Sequence, residues 1–291
     1  MGVIHVPVML AEVLEGLKLK DKGIYIDGTV GSGGHAEGIL KNAGGCTLIG
    51  LDKDEDAIKM AGERLKGYDV HLIKSAFSDM ESVIKGLGYE EVDGILLDLG
   101  VSTLQLKSVG RGFSFSGDDV LDMRMDRGQR LTALKIINEY SEKDLADIFW
   151  RYGEERHARK IARVVVSARK VKPIRTCSEF AGIIMKAVGR KDSRIHPATR
   201  TFQALRIEVN KELDELSAAI PAGTGVLKKG GRFCVISYHS LEDRVVKHSF
   251  RKLADNGIVS IITRKPLTPS MEERRLNPSS RSAKLRITEK L

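Results

Sequence analysis

The sequence has few cysteines that could form disulfides and no long apolar segment that could span a membrane. Among its 291 residues are only three cysteines, Cys46, Cys177 and Cys234, and no C-x-x-C pair. This excludes a disulfide scaffold and argues against a zinc site built on cysteine. No apolar run approaches the ~18 residues of a membrane span, and the first residues do not read as a signal peptide. We therefore expect a soluble, reduced, cytoplasmic protein.

Two signatures of nucleotide and metal chemistry are also missing. No Gly-Lys-Ser/Thr follows the glycine-rich segment near residue 30, which excludes a P-loop. No H-E-x-x-H or other metal-ligand spacing occurs, so we expect no metal. What remains is an ordinary globular composition, 42% hydrophobic and 30% charged, at a length that suits one large domain or two.

The net charge of +9 is unevenly distributed along the chain. Residues 1–105 hold 10 Lys and Arg against 17 Asp and Glu. Residues 106–200 hold 21 against 12, and residues 201–291 hold 17 against 10. A basic surface favours a polyanion such as nucleic acid, although net charge alone fits a surface adapted for solubility equally well.

The first third of the chain alternates apolar strands with helices. Strands are predicted at 24–27, 46–52, 70–73 and 93–98, and helices from Ala36 and over 54–65, with Asp54 as N-cap. Continuous apolar strands spaced by helices indicate a doubly wound, mostly parallel α/β sheet covered on both faces.

The alternation of strands and helices then stops. A glycine-rich, charged loop at 107–128 is followed by three helical segments with no β run between them, at 131–152, 154–171 and 176–189. The α/β pattern resumes with a helix at 200–220, a strand at 231–237 and a final strand pair at 259–262 and 284–287. We therefore predict a discontinuous core, residues 1–105 and 200–291, with an all-helical insertion at 106–199.

The segment Asp27–Ala36 has the composition of a ligand loop. Its glycines, Gly31 and Gly33 among them, allow a tight turn and a close backbone approach to a ligand at a helix N-terminus. Gly31-x-Gly33-x-x-Ala36, with Asp52 21 residues after Gly31, also satisfies the relaxed dinucleotide pattern. An NAD-dependent oxidoreductase is therefore one alternative.

Acidic residues favour a different ligand. Asp27, Asp52 and Asp98 end three of the predicted strands, and strand ends meet at the ligand crevice of such sheets. Three carboxylates suit the sulfonium, ammonium and ribose of S-adenosylmethionine better than a pyrophosphate. Asp52 would hold the ribose, and Phe77 would pack on adenine. The alternatives are that the acids cap helices or form turns, and that Phe77 is a core aromatic.

Segments along almost the whole chain resemble one family. They are His5–Met9, Asp27–Ala36, Leu97–Ser102, Arg111–Phe115, Asp122–Asp126, His196–Ile207, Ile236–Arg244 and Asn277–Arg286. On these residues the chain resembles the MraW family, the ribosomal small-subunit methyltransferases H. The resemblance implies a Rossmann-like methyltransferase core with a helical insertion, and S-adenosylmethionine as the donor. It also implies methylation of the N4 amine of a cytidine in the decoding centre of 16S rRNA.

The same resemblance implies a set of donor contacts, which map onto Gly33, Gly34, His35, Asp52, Phe77, Asp98 and Gln105. Two departures occur. Thr103-Leu104-Gln105-Leu106-Lys107 replaces the usual Ser-Pro-Gln-Leu-Asp, and Tyr238 replaces a common Phe.

Methylating a cytosine amine sets definite chemical demands. The amine lone pair is delocalised, so the enzyme must orient it, accept an N–H hydrogen bond and later take a proton. Asp98 is the first candidate for this role. Phe113, Phe115 and Tyr238 are candidates for gripping the base, with core packing as the alternative. His239 is a candidate for positioning the substrate, although a lone histidine at a strand end is more often structural.

Basic side chains are expected to hold RNA phosphates. Arg156, Arg159, Lys160 and Arg163 have the spacing of one helix face. Arg194, Arg200 and Arg206 add further positive charge, as does the C-terminal segment. The alternative is that these residues form a solvated surface.

The favoured hypothesis is thus an rRNA cytosine-N4 methyltransferase acting on the small ribosomal subunit, with its oligomeric state open. A DNA amino-methyltransferase is disfavoured because Asp98-Leu99-Gly100-Val101 lacks the paired prolines of that group. Besides the oxidoreductase, a non-catalytic RNA-binding assembly factor that retains the donor pocket remains an alternative.

Overall fold

The computed structural model divides the chain into two compact units. It describes residues 7–102, 105–106, 108, 110–115, 118–189 and 196–291. Met1–Gly100 and Leu213–Leu291 form the first, here called the sheet unit. Val101–Glu212 form the second, here called the helical unit.

The sheet unit contains a seven-stranded sheet with helices between its strands. The strands are β1 Ile24–Asp27, β2 Thr47–Asp52, β3 Val70–Lys74, β4 Val92–Asp98, β5 Leu227–Ser237, β6 Val259–Ile261 and β7 Lys284–Lys290. The helices are α1 Leu10–Leu17, α2 Gly34–Asn42, α3 Glu55–Arg64, α4 Met80–Gly86, α10 Glu212–Val226, which starts at the last residue of the helical unit, α11 Ser240–Asp255 and α12 Met271–Leu276. Short 3₁₀ turns lie at Phe77–Asp79 and Pro278–Ser282.

The strand order is β3-β2-β1-β4-β5-β7-β6. Strands β1 to β5 are parallel, whereas β7 runs antiparallel to both β5 and β6. The predicted mostly parallel α/β sheet is confirmed, and so are its terminal strand pair and the N-cap role of Asp54, which accepts from the backbone N–H of Asp56 at 3.1 Å. Beyond the predicted elements, the structure adds α1, α4, α11 and α12.

Both faces of the sheet are covered by apolar cores. Alternate residues of a strand point to opposite faces, so Leu96 joins one core while Ile95 and Leu97 join the other. The first core also contains residues of α1 and α2, and the second contains residues of α4, α10 and α11. This double burial is the reason that the strands read as continuous apolar runs.

The helical unit has its own core. Its helices are α5 Ala133–Glu139, α6 Glu142–Arg151, α7 Ala158–Val171, α8 Cys177–Val188 and α9 Thr199–Asn210. Phe149, Phe180 and Phe202 lie at its centre, with ring centroids 6.4 Å apart for the first two and 5.5 Å for the last two.

The boundary between the two units differs from the one read from the sequence. The sequence places the return to the core at residue 200, whereas the structure assigns α9 to the helical unit. Four side chains of α9, including Phe202 and Leu205, are part of that unit's core. Apolar periodicity alone does not say which of two cores a helix joins.

Three predicted helices are shorter or broken in the structure, each for a local reason. The 131–152 segment is two helices because the Ser141 side chain accepts from the backbone N–H of Asp144 and starts a new one. The helix predicted from 154 begins at Ala158, since Glu154 has φ +48°. The 200–220 helix is interrupted at Lys211, where φ is +53°.

No helix among the residues that the structure describes is both long enough and apolar enough to cross a membrane.

A single buried amide joins α9 to the preceding loop within the helical unit. Asn210, 4% exposed, donates from Nδ2 to the carbonyls of Met123 and Arg206, each at 2.9 Å. Its Oδ1 accepts from the backbone N–H of Met125 at 2.8 Å. These bonds satisfy the backbone of a loop in which Met123 has φ +61°.

We expect Asn210→Ala to lower the free energy of unfolding by about 2–4 kcal/mol, because buried backbone groups lose their partners. Asn42→Ala is the matched control. Asn42 also ends a helix and donates to the carbonyl four residues back, at 2.8 Å, but it is exposed and its change should cost less than about 0.5 kcal/mol. Urea unfolding measures both, and equal effects would contradict the assignment.

Candidate active site

The ligand loop lies where the sequence predicts it, between β1 and α2. Gly31 and Gly33 have φ of +52° and +82°, a backbone region that residues with a Cβ adopt only at a cost. Backbone hydrogen bonds fix the loop to the sheet: Gly28 N–H donates to Leu96 at 2.9 Å, and Val30 N–H donates to Leu51 at 2.9 Å. The loop is therefore held in place by two neighbouring strands.

Asp52, the last residue of β2, holds the loop from one side. One carboxylate oxygen accepts from the backbone N–H of Gly31 at 3.0 Å, and the other accepts from that of Asp54 at 2.9 Å. Asp52 therefore has the turn-forming role that the sequence left open as an alternative. It does not exclude ligand binding, because each carboxylate oxygen can accept a second hydrogen bond.

Two further carboxyl groups lie at the ends of the paired strands β1 and β4. Asp27 is 1% exposed, and the Asp98 side chain is 17% exposed. Burial raises the pKa of Asp27 to about 6, with Asp98 and Asp52 adding to the rise. Burial likewise raises the pKa of Asp98 to about 7, helped by the charge of Glu242. The carboxyl groups at this edge of the sheet therefore carry negative charge that the surrounding residues do not fully compensate.

Tyr238 holds Asp98 in position. This tyrosine follows β5, and its hydroxyl donates to Asp98 Oδ1 at 2.7 Å. That bond favours the ionised carboxylate and opposes the effect of burial on the pKa of Asp98. The ring lies against Gly100, where an added Cβ would be 3.3 Å from Tyr238 Cδ2. The sequence predicted a ring that grips a base, and the structure adds a role for the hydroxyl.

The ring of His35 has one tautomer that fits its surroundings. Its Nε2 lies 2.9 Å from the carbonyl oxygen of Val8, which can only accept, so Nε2 carries the hydrogen. Burial lowers the pKa of His35, so the ring is neutral and Nδ1 is a bare acceptor. Nδ1 lies 3.5 Å from Asp98 Oδ2. Asp98 can donate to it only when protonated, so neutral His35 favours the protonated form of this carboxyl.

The two carboxyl groups, Asp27 and Asp98, suit a positively charged ligand. Burial raises the pKa of Asp27 to about 6 and that of Asp98 to about 7, so both carboxyl groups are harder to ionise than an ordinary aspartate. A sulfonium or ammonium group at this edge would favour both carboxylates. An anionic pyrophosphate would be repelled by them.

Phe77 lies beside the loop, as predicted. It is half-buried in the 3₁₀ turn after β3, and its Cβ would be 3.1 Å from a Cβ added at Gly28. The ring packs against one core of the sheet unit. The stacking of Phe77 on an adenine ring stays a prediction.

His239 is engaged in local structure. It is the N-cap of α11, where Nδ1 accepts from the backbone N–H of Glu242 at 3.3 Å. Glu242 Oε2 in turn accepts from the backbone N–H groups of Tyr238 and His239, which completes a capping box. The cap accounts for Nδ1, while Nε2 lies 3.1 Å from Glu242 Oε1, and the substrate-positioning role of this histidine stays a prediction.

Three predicted contacts belong to the helical unit. Gln105 is buried, and its Oε1 accepts from the backbone N–H of Ser102 at 3.1 Å. Phe113 is 8% exposed in the unit's core. Phe115 stacks on His196 with ring centroids 4.3 Å apart. Core packing explains Phe113, whereas Phe115 is half-buried against the same core. The base contact of Phe115 and the donor contact of Gln105 stay predictions.

The predicted phosphate-binding residues differ in their availability. Arg156 lies in the turn before α7, so only Arg159, Lys160 and Arg163 share the helix face that the sequence assigned to all four; all four are exposed. Arg200 is exposed as well. Arg206 instead forms a bidentate ion pair with Glu212, in which Nε and Nη2 each donate to one carboxylate oxygen at 2.9 Å. Arg194 lies outside the described residues.

Two contributors to the site were missed by sequence reasoning. Thr29 Oγ1 accepts from the backbone N–H of Asp98 at 2.6 Å and so joins the ends of β1 and β4. The hydroxyl contact of Tyr238 could have been found from strand register, because Asp98 pairs with Ile236. A residue two positions beyond Ile236 necessarily lies near the end of β4.

The comparisons with known proteins agree over the full chain. The model of the MraW methylase family matches residues 2–291. A ribosomal RNA small subunit methyltransferase H from Coprothermobacter proteolyticus is 49% identical over 288 residues, 98% of this chain and 96% of the relative. The enzyme of the same name from Sulfurihydrogenibium sp. is 49% identical over 287 residues, 97% and 98% of the two chains.

A solved structure shows the same fold. The crystal structure of a provisional rRNA methylase from Clostridium thermocellum covers 99% of this chain and 100% of its own, with a TM-score of 0.50. Its sequence identity is 14%, so the likeness concerns the fold alone.

The hydroxyl of Tyr238 is expected to set the pKa of Asp98. By NMR titration of the Asp98 carboxyl, we expect a value of about 7 in the native chain. Tyr238→Phe should raise that pKa by about one to two units, since it removes a hydrogen bond to the charged form. Tyr89→Phe, whose hydroxyl lies 3.5 Å from His71 Nε2, is the control and should leave it unchanged. An Asp98 that titrates near 4 in the native chain would contradict the geometry.

The same pKa has a consequence for stability. Because the pKa of Asp98 is above its unfolded value of 3.8, its contribution to stability is full below pH 3.8 and is lost as pH rises through about 7. Asp98→Asn should therefore become more stable relative to the native chain over that interval. Urea midpoints at pH 4 and pH 8 measure the difference, with exposed Asp79→Asn as control. A constant difference across this range would refute the buried titration.

Proposed function

The chain belongs to the MraW methylase family, and on that basis we propose that it methylates the exocyclic N4 amine of a cytidine in the decoding centre of 16S rRNA. It is an S-adenosylmethionine-dependent methyltransferase with a Rossmann-like core. The relatives' shared name, ribosomal RNA small subunit methyltransferase H, supports small-subunit RNA as the substrate class. Membership displaces the oxidoreductase alternative.

The acidic end of the sheet carries the proposal. When bound, S-adenosylmethionine supplies an electrophilic methyl group on a positively charged sulfur. Asp27, Asp98 and the loop around Gly31 would hold its charged groups, and the oxygens of Asp52 would accept from the ribose hydroxyls. Phe77 would cover one face of the adenine.

Asp98 is suited to act on the amine. A carboxylate can accept a hydrogen bond from one amine N–H, which directs the nitrogen lone pair, and can then accept the proton. A pKa of about 7 makes this residue a better proton acceptor than an ordinary aspartate. Tyr238 fixes the carboxylate through Oδ1, which leaves Oδ2 to receive the proton. Neutral His35 faces that same oxygen and would stabilise the protonated acid.

The helical unit is proposed as the substrate-recognition domain. Its exposed cations suit a polyanion, and sequence-independent contacts to phosphates position an RNA without reading its bases. Arg159 and Lys160 on α7 are the clearest candidates, since both are exposed. Arg163 is exposed as well, and its Nε lies 3.8 Å from Glu142 Oε1. Arg206 contributes less, because its guanidinium is paired with Glu212.

Methyl transfer is tested with labelled S-adenosylmethionine and small ribosomal subunits that lack the modification. We expect one cytidine to become N4-methylcytidine, identified by mass spectrometry of nucleosides. Asp98→Asn at saturating donor should reduce kcat by about 10²- to 10⁴-fold, as loss of a general base does. The exposed Asp79→Asn is the control.

The rate should also depend on pH in a defined direction. Only the ionised carboxylate accepts a proton, so kcat/KM, which reports the free enzyme, should rise as pH increases through about 7 and then level off. Label on a different base or atom would retain the methyltransferase and reject the cytidine proposal. Full activity of Asp98→Asn would reject the role of this carboxylate.

A further inference from the structure

Trp150 is an aromatic side chain without an evident structural task. It is the one tryptophan of the chain, and it is 62% exposed. It lies in the last turn of α6, whose buried face consists of Leu145, Ile148 and Phe149. A large indole usually contributes to stability by burial, so one placed on the opposite side of such a helix is suited to contact a partner.

The backbone around Trp150 is firmly held. Its carbonyl accepts from the N–H of Glu154 at 3.1 Å, in the turn that joins α6 to α7. The start of α9 supports that turn: Arg200 donates to the carbonyl of Glu154 at 3.2 Å, and Gln203 donates to that of Tyr152 at 2.9 Å. Trp150 and Arg200 thus lie beside one turn of the helical unit that is held by these hydrogen bonds.

Positive charge surrounds this turn. Arg151 and Arg156 are exposed, and the guanidinium of Arg151 lies 5.5 Å from the centre of the Tyr152 ring. Arg159 and Lys160 follow on the exposed face of α7. With Arg200, five exposed cations stand against the two exposed acids nearest in sequence to Trp150, Asp147 and Glu154.

This combination suits one kind of partner. An acidic protein would match the cations but not require the indole, and a second copy that docked through the same surface would bring like charges together. A nucleic acid with an unpaired base matches both, since a base stacks on an aromatic face while arginines hold its phosphates.

We propose that Trp150 is a stacking platform for an unpaired base of the RNA substrate, with Arg151, Arg156 and Arg200 contacting the adjoining phosphates. The inference rests on the proposed function for its substrate class and adds a contact outside the methyl-transfer site. It predicts a preference for single-stranded or looped RNA over a continuous duplex, whose bases are already stacked.

The single tryptophan makes the test direct, because its fluorescence reports this position alone. A single-stranded 12-mer oligoribonucleotide should quench the emission of the full-length protein, and a blunt duplex of equal length should quench it less. Fluorescence anisotropy of labelled RNA measures binding independently. Trp150→Ala should weaken binding by about five- to a hundredfold, and Trp150→Phe, which keeps a ring, by less.

Val171→Ala is the matched control, since Val171 is 90% exposed at the far end of α7 in the same unit. It should leave both binding and quenching unchanged. Circular dichroism verifies that each variant is folded.

Several outcomes would overturn the inference: RNA that binds without quenching, no binding of RNA at all, native affinity in Trp150→Ala, or an emission change that follows protein concentration and dimerisation. The two proposals fail separately. Quenching without methyl transfer would reject the proposed function and retain the platform. Methyl transfer with an unchanged KM for ribosomal subunits in Trp150→Ala would retain the proposed function and reject the stacking platform.

Discussion

The burial of carboxyl groups at one edge of the sheet is the constraint around which the site is organised. Asp27 and Asp98 end adjacent parallel strands, and the backbone, through Thr29, keeps them there. Burial and like charge raise the pKa of both, so the edge is incomplete without positive charge. A fold that tolerates this cost has a site prepared for a cationic donor, the usual compromise between stability and activity.

In the proposed mechanism, the same constraint explains why the proton acceptor and the donor-binding residues coincide. The environment that favours a cation also makes Asp98 basic enough to take a proton near neutral pH. Tyr238 and His35 act on opposite oxygens of that carboxyl, one favouring its charged form and the other its protonated form. Positioning and proton transfer are thereby assigned to different atoms of one side chain.

The sheet could be predicted well from the sequence, because strands buried on both faces leave continuous apolar runs and their terminal acids mark the ligand edge. Helix limits were less predictable. The breaks at Ser141 and Lys211 depend on capping and backbone conformation that apolar periodicity does not report. The role of the Tyr238 hydroxyl depends on the pairing of Asp98 with Ile236, a long-range register. Trp150 carried no sequence signal, because exposure is a property of the folded helix.

The position of the helical unit in the chain has a consequence for evolution. It interrupts the sequence between β4 and β5, two strands that pair directly in the sheet. The entropy lost on closing a chain segment grows only logarithmically, so doubling its length adds about 0.6 kcal/mol. Insertions into this stretch are therefore thermodynamically inexpensive for the sheet. The helical unit can therefore diversify in length while strand pairing in the sheet and the acids at its edge stay fixed.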